Sequence, residues 1–332
     1  MKLLFELSGE HSTLPAAEAE ACLKIFGINP ICIAKQHVFV VEAALDSPDV
    51  QALGHRLALS HAIYEVLSSG SLQEIEHAIN AIDFGTASTF SLQGRRFGAH
   101  IPISYLKKHL GTYIQQETGL QVDLATPDMT LYILSDVQIY LCRQRVVVNR
   151  SQFEQRKPQY RPFSSPVSLN PRIARALVNL VRITPGQILM DPFCGTGGIL
   201  IEAGLLGAQV VGIDIKNTMV EGCRANLTHY GITPDHLQCG DALAIDGIYP
   251  VDAVVTDLPY GRSTSITTSP ATLYKDAFSK LGDWLKPTGM AVVGLPEKRF
   301  ISLAEQQCSV IEVHPMRVHR SLTRYFCVLR PD

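Results

Sequence analysis

The residues best suited to chemistry fall in two short segments and at two isolated acids. The first segment, DPFCGTGGILIEA at 191–203, puts Asp191 at the end of a buried-strand pattern and glycines at 195, 197 and 198 where a helix begins. Glycines there let the backbone turn tightly and approach a ligand without side-chain interference. The run reads G-T-G-G, so the G-x-G-x-x-G fingerprint of dinucleotide sites is not met. Asp191 at the lip of the loop disfavours a phosphate and suits a cationic or polar ligand. S-adenosylmethionine carries a sulfonium, an ammonium and no phosphate, and fits that requirement. A strand–helix turn with glycines only for packing is the less favoured alternative for the loop taken alone. Asp214 ends the next strand pattern, VVGIDI, where an acid can accept from both ribose hydroxyls. Asp241, in CGDA, comes at the end of a third strand and can accept from an adenine amino group, with Ala242 beside it. Either acid alone could be a helix cap. With the glycine loop they describe one crevice at the carboxyl edge of a sheet.

The second segment, TDLPYGR at 256–262, follows the fourth strand of the same series. An exocyclic amine on a base is a poor nucleophile because its lone pair is conjugated with the ring. Asp257, with the main-chain carbonyl of Leu258, can hold the amine hydrogens so that the lone pair points at a methyl group. Pro259 stiffens the loop and brings no competing N–H. Tyr260 offers a flat face for an extruded base. A surface turn is the plain alternative for such a tetrapeptide, and its position after the other three elements disfavours that. A dehydrogenase is disfavoured by the missing third glycine and by Asp257–Tyr260, which hydride transfer does not need.

These residues require a parallel sheet, and the second half of the chain has the pattern for one. A helix over 171–181 leads to strands at 188–192, 210–215, 236–239, 253–257 and 290–295. Helices at 198–206, 217–230 and 271–285 alternate with them. Such alternation with continuous apolar strands predicts a doubly wound, Rossmann-like α/β domain. Strand-like runs at 309–313 and 324–329 have no helix between them, so an antiparallel hairpin is expected to finish the sheet. The first 70 residues read as β-α-β-β-α-β, a ferredoxin-like order: strand 2–7, helix 15–26, hairpin 31–34 and 38–43, then an apolar run 57–67. That last run fits a helix equally well. Residues 71–150 carry a helix 72–82, a strand 89–97, a basic-faced helix 104–118 and strands 129–134 and 137–148. Residues 151–165, polar and proline-containing, read as a linker to a domain at 166–332.

Composition bounds the function. The 332 residues are 46% hydrophobic with a net charge of -2, so general wrapping of nucleic acid over the surface is excluded. The charge is nevertheless segregated. Arg143, Arg145, Arg150, Arg156, Lys157 and Arg161 face a single acid, Glu154, and the stretch 313–331 has four arginines and no acid. Arg95, Arg96, Lys107 and Lys108 form a third cluster. Local basic patches of this kind suit RNA, although a solvated charged face is the ordinary reading of any one of them. The eight cysteines contain no Cys-x-x-Cys pair, the histidines lack ligand spacing, and no metal site is expected. An N-terminus that turns polar within seven residues and the lack of any long apolar run point to a cytoplasmic protein with no membrane partner.

At this point the chain resembles a family. Residues 191–203 and 256–262 look like motifs I and IV of class I S-adenosylmethionine-dependent amino-methyltransferases. The stretch RPFSSPVSLNPRIARALVNL at 161–180 is similar to that of archaeal tRNA (guanine-10-N2)-methyltransferases. Residues 71–150 resemble a THUMP domain, the RNA-binding module of such enzymes, behind the ferredoxin-like region 1–70. Leu258 departs from the family's D-P-P-Y by replacing the first proline, which keeps the main-chain acceptor but loosens the loop. The resemblance implies methylation of a guanine N2 amine in tRNA, at G10, first once and then twice. It implies S-adenosylmethionine contacts from Asp191, Phe193, Gly195, Thr196, Gly197, Asp214, Ile215, Asp241, Ala242 and Asp257. RNA contacts are expected from Arg95, Arg96, Lys107, Lys108, Arg143, Arg145, Arg161 and Arg262. A small zinc-binding activator subunit is an implied partner, docking near 210–215 and 217–230, where Met219, Val220 and Cys223 could expose apolar area. Two other readings stay open. One is methylation of another amine, in DNA or at a guanine such as G6. The other is an RNA-binding protein with an inactive methyltransferase fold. The intact Asp191, Asp214, Asp241 and Asp257 weigh against the last, and the RNA-type N-terminal half against DNA.

Overall fold

The computed structural model describes all residues but 36, 99–100, 166–167, 246, 248, 260–268, 320–321 and 332. The chain forms two compact units, residues 1–10, 26–55 and 60–149 in one and 11–25, 56–59 and 150–332 in the other.

Along the first 150 residues run β1 (Lys2–Leu7), α1 (Leu14–Ile25), β2 (Ile31–Lys35), β3 (Val38–Glu42), α2 (Ser47–Arg56) and β4 (Ser60–Gly70). Then come α3 (Leu72–Ile79), β5 (Thr89–Arg96), α4 (Ile103–Thr118), β6 (Gln121–Val122), β7 (Met129–Ser135) and β8 (Ile139–Val147). The strands form one eight-stranded sheet in the order β2-β3-β1-β4-β8-β7-β5-β6. The ambiguous run 57–67 resolves as strand because β4 pairs antiparallel with β1 on one side and β8 on the other. The expected boundary at 70/71 is crossed by that β4–β8 pairing, so the ferredoxin-like order and the stretch after it share one sheet. Local chemistry sets the helices on it. Ser71 and Glu74 form a reciprocal capping box at the start of α3, and Gly119, at φ +77°, ends α4 in the left-handed region. Ile75 and Ile79 of α3 and Leu106, Leu110 and Ile114 of α4 bury against Phe90, Leu131 and Leu141 of the sheet.

The second unit continues with α5 (Ser151–Gln155), α6 (Pro171–Leu180), β9 (Ile188–Asp191), α7 (Gly198–Gly204), β10 (Gln209–Asp214), α8 (Asn217–His229) and β11 (His236–Cys239). It ends with β12 (Val251–Asp257), α9 (Pro270–Trp284), β13 (Leu285–Leu295), α10 (Ile301–Ala304), β14 (Cys308–His319) and β15 (Leu322–Pro331). The sheet order is β11-β10-β9-β12-β13-β15-β14. β11, β10, β9, β12 and β13 pair parallel, and β15 pairs antiparallel with β13 and β14. This is the expected doubly wound sheet with its terminal hairpin. Alternate strand residues feed two cores. Leu189, Val210, Ala253 and Val255 face α6 and α7, whereas Met190, Val211, Val254 and Val293 face α9.

Two features depart from the sequence reading. Helix α1 belongs with this second unit: Leu14, Ala17 and Ala21 share a core with Ile173, Ala176, Leu177 and Leu180 of α6. Glu18, fully buried on α1, accepts hydrogen bonds from the Ala58 and Leu59 amides and from Asn179 Nδ2 of α6. The segment 151–165, expected as a linker, is also built into this unit. Phe153 is buried, and Arg156 Nε and Nη2 donate to the buried Glu202 at 2.7 and 3.0 Å.

Candidate active site

The four acids singled out in the sequence sit at the carboxyl ends of β9, β10, β11 and β12, on either side of the point where strand order reverses. That is where an open α/β sheet leaves a crevice. Asp191 ends β9 buried, its Oδ1 accepting from the Phe193 amide at 3.1 Å and from Thr256 Oγ1 of β12 at 2.7 Å. Burial pushes its pKa up to about 7, against the lowering effect of those hydrogen bonds, and the nearby carboxylates of Asp214 and Asp257 add to the rise. The loop that follows turns at Gly195 (φ +51°) and Gly197 (φ +78°). A Cβ on Gly195 would meet nothing within 4 Å, so the loop leaves bare backbone beside open space. A Cβ on Gly197 would sit 2.6 Å from Cys223 Sγ, so α8 packs too close for any larger residue.

Asp214 is wired into this loop. Its Oδ2 accepts from the Gly195 amide at 3.0 Å and its Oδ1 from the Lys216 amide at 2.9 Å. A carboxylate has about four acceptor sites, so capacity remains for ligand hydroxyls. Ile215 beside it is 65% exposed, an apolar surface at the strand end. Asp241 is exposed and caps its own turn through the Leu243 amide at 3.0 Å. Phe193 is half-buried. Thr196 and Ala242 are buried. The Thr196 hydroxyl lies 3.1 Å from Ser168 Oγ and its carbonyl accepts from Asn226 Nδ2, so that side chain holds the loop. Ala242 packs in the core facing α9 and has only its main chain to offer. Bare glycine backbone, exposed apolar surface and carboxylates without a basic side chain among the loop candidates match the donor set that S-adenosylmethionine needs. No cluster of metal-ligating side chains occurs among the described residues.

At the end of β12 the Asp257 side chain is 15% exposed, with its Oδ2 3.2 Å from Arg324 Nη2 of β15. Its Oδ1 is buried and has no hydrogen-bond partner among the described residues. A Cβ at position 294 would lie 2.4 Å from Oδ1, so only glycine in β13 leaves room for the carboxylate. Burial pushes the Asp257 pKa up to about 6, and Arg324 opposes that rise. The Leu258 amide donates to the Gly294 carbonyl at 3.1 Å, and Tyr274 Oη of α9 donates to the Pro259 carbonyl at 3.0 Å. These two bonds pin the main chain that the Leu258 departure was expected to loosen. Tyr260 and Arg262 lie outside the described residues.

The basic candidates divide. Arg95 pairs with Glu6 at 2.6 Å, and Arg145 and Arg143 approach Glu65 at 3.2 and 3.9 Å. Arg96 and Lys108 are exposed and Lys107 half-buried. Arg161 corrects its sequence reading: it is 6% exposed, donates from Nε to the Arg156 carbonyl, and packs on the start of α7. It is a scaffold residue, not a surface cation. Val220 and Cys223 are likewise buried, which leaves only Met219, half-buried, of the apolar patch expected on α8.

Residues 158–325 match the model of the RMKL-like methyltransferase domain. The tRNA (guanine(10)-N2)-dimethyltransferase of Methanothermobacter thermautotrophicus is 37% identical over 336 residues, covering 99% of each chain. The chain belongs to the tRNA (guanine-10-N2)-methyltransferase family. The enzyme of that name from Pyrococcus abyssi is 36% identical over 82% of this chain and 84% of its own. TrmN from Thermus thermophilus, 20% identical, shares the fold over the full length of both chains with a TM-score of 0.57. A methyltransferase candidate solved with SAH matches with a TM-score of 0.53 at 12% identity, covering 100% of this chain and 98% of that one. Among the residues that surround these acids, Thr256, Tyr274, Gly294 and Arg324 escaped the sequence reading. Arg324 carried a signal, because it shares the period-2 face of β15 with the buried Phe326 and Val328.

Proposed function

We propose that this methyltransferase modifies the exocyclic N2 amine of guanine 10 in tRNA, once and then a second time, with Asp257 as the acceptor that orients the amine. The buried Oδ1 without a partner carries the reading, because such an oxygen is costly to the free protein and is satisfied by an arriving N–H. The Leu258 carbonyl takes the second amine hydrogen, Pro259 keeps the strand end stiff, and Tyr260 stacks on the extruded base. S-adenosylmethionine, when bound, supplies the methyl group as a sulfonium electrophile for in-line transfer, so no cysteine nucleophile is needed. Asp191 faces its ammonium, Asp214 its ribose hydroxyls, Ile215 and Phe193 the adenine faces, and Asp241 with the Ala242 main chain the adenine edge. Gly195, Thr196 and Gly197 shape the loop that approaches it. Most of the rate comes from holding the amine in line and from acceptors already aimed at it.

The tRNA is held, in this reading, by residues 71–150 acting as a THUMP domain. Arg95, Arg96, Lys107, Lys108, Arg143 and Arg145 of the first unit meet phosphates, and Arg262 meets RNA at the site. The protein works in the cytoplasm; no helix among the described residues is long and apolar enough to cross a membrane. A small zinc-binding activator docks on the methyltransferase unit beside α8, where the half-buried Met219 is what remains of the expected apolar patch. The test of substrate choice is methyl incorporation into an unmodified tRNA transcript against the same transcript with adenine at position 10. Incorporation should vanish in the second; equal incorporation would move the target to another nucleotide, such as G6.

A further inference from the structure

We infer that Arg324 is a positioning residue for this reaction: from β15 it holds the Asp257 carboxylate by Oδ2, so that Oδ1 is left to accept from the target amine. The inference rests on the reading of Asp257 just given.

Three observations on independent elements converge. The Arg324 side chain is 7% exposed, and its guanidinium approaches Oδ2 at 3.2 Å, close enough for a charge-assisted bond. Oδ1, on the other side of the same carboxylate, has no partner among the described residues. Gly294 of β13, between β12 and β15 in the sheet, leaves the space that Oδ1 occupies. A buried carboxylate tends to take up a proton, and a protonated one can accept fewer amine hydrogens and cannot stabilise the positive charge that develops on N2.

The surroundings make a cation necessary at this place. From β9, Asp191 with its own pKa raised to about 7 is largely protonated where Asp257 titrates, so burial is the effect that disfavours the Asp257 charge. From α9 the Tyr274 phenol faces Asp257 and is pushed up to about 12 by burial and by that carboxylate and Glu297, so it stays neutral. Arg324 is the group that lowers the Asp257 pKa against its burial. A salt bridge that served only stability would gain nothing from leaving half of the carboxylate unsatisfied.

The test compares the full-length wild type with Arg324→Met, Arg324→Gln, Arg324→Lys and Asp257→Asn, reading kcat against pH at saturating tRNA and donor. Donor affinity is measured in parallel. The wild type should gain activity through an acidic limb near pH 6. In Arg324→Met and Arg324→Gln the limb should move up by about one pH unit or more, so that activity lost at pH 6 returns at about pH 8. Arg324→Lys should restore most of the shift, and donor affinity should change little in any variant. Two neutral variants guard against one of them failing to fold. A lower rate with an unmoved limb in every folded variant would make Arg324 a merely structural ion pair and overturn the inference. Wild-type methylation by Asp257→Asn would instead overturn the reading of the site itself.

Discussion

Asp257 Oδ1 is buried without a hydrogen-bond partner among the described residues, an arrangement that costs about 1–3 kcal/mol and that an amine hydrogen would offset in the proposed reaction. Asp257→Ala should therefore abolish transfer while leaving donor affinity nearly intact, as read by calorimetry beside a methylation assay. Asp214→Ala should do the reverse and weaken donor binding by roughly 1.5–3 kcal/mol through lost charge-assisted bonds. Asp214→Asn should lose less, since an amide oxygen can still accept from Gly195. Unchanged affinity in Asp214→Ala would reduce Asp214 to a cap for the Gly195 and Lys216 amides. Asp191 sets a pH dependence. Its pKa is raised from 3.8 to about 7, so the folded protein binds that proton more tightly than the unfolded chain. Over that window this group makes the ligand-free protein less stable as pH rises. Asp191→Asn should flatten that part of the profile, measured by urea midpoints at several pH values; an unaltered slope would place the titration elsewhere.

At the scale of elements, the parallel strands and the glycine loop were legible because their signals are local. Apolar runs of strand length, glycines at a strand–helix junction and acids at strand ends need no knowledge of distant residues. What the sequence hid was pairing at long range. The run 57–67 became strand through its neighbours β1 and β8, and Arg161, one of a dense group of cations, turned out to pack on α7. The site residues named from motifs lie on β9 to β12, whereas Arg324 arrives from the last hairpin, far along the chain. Helix α1 shows the same limit: its apolar period was plain, but nothing local says that it covers α6. Glu18 makes that contact specific. Glu18→Ala strips acceptors from two buried amides and from Asn179, and should cost about 3 kcal/mol, read as a drop in the urea midpoint. A surface-like change below about 0.5 kcal/mol would contradict the assignment of α1 to this unit.

On the scale of the whole molecule, the methyltransferase unit is not one stretch of sequence. Residues 11–25 and 56–59 belong to it, and so do Phe153 and Arg156. A fragment of residues 166–332 keeps every donor-binding candidate but loses the cover of α6 and leaves the buried Glu202 with Arg175 alone of its two arginine partners. It should aggregate and unfold at lower denaturant than the full chain, by size-exclusion chromatography and urea titration. A monodisperse, stable fragment would show that the N-terminal elements are dispensable for this unit. The chain as a whole carries a methyltransferase sheet and a second, eight-stranded sheet, and the proposed activity of the two together is read in its product. The most direct measurement is mass spectrometry of nucleosides from unmodified tRNA incubated with the protein and S-adenosylmethionine. N2-methylguanosine should appear first and N2,N2-dimethylguanosine after it, with neither formed by Asp257→Ala. A methyl group on any other base, or undiminished product from that variant, would contradict the account.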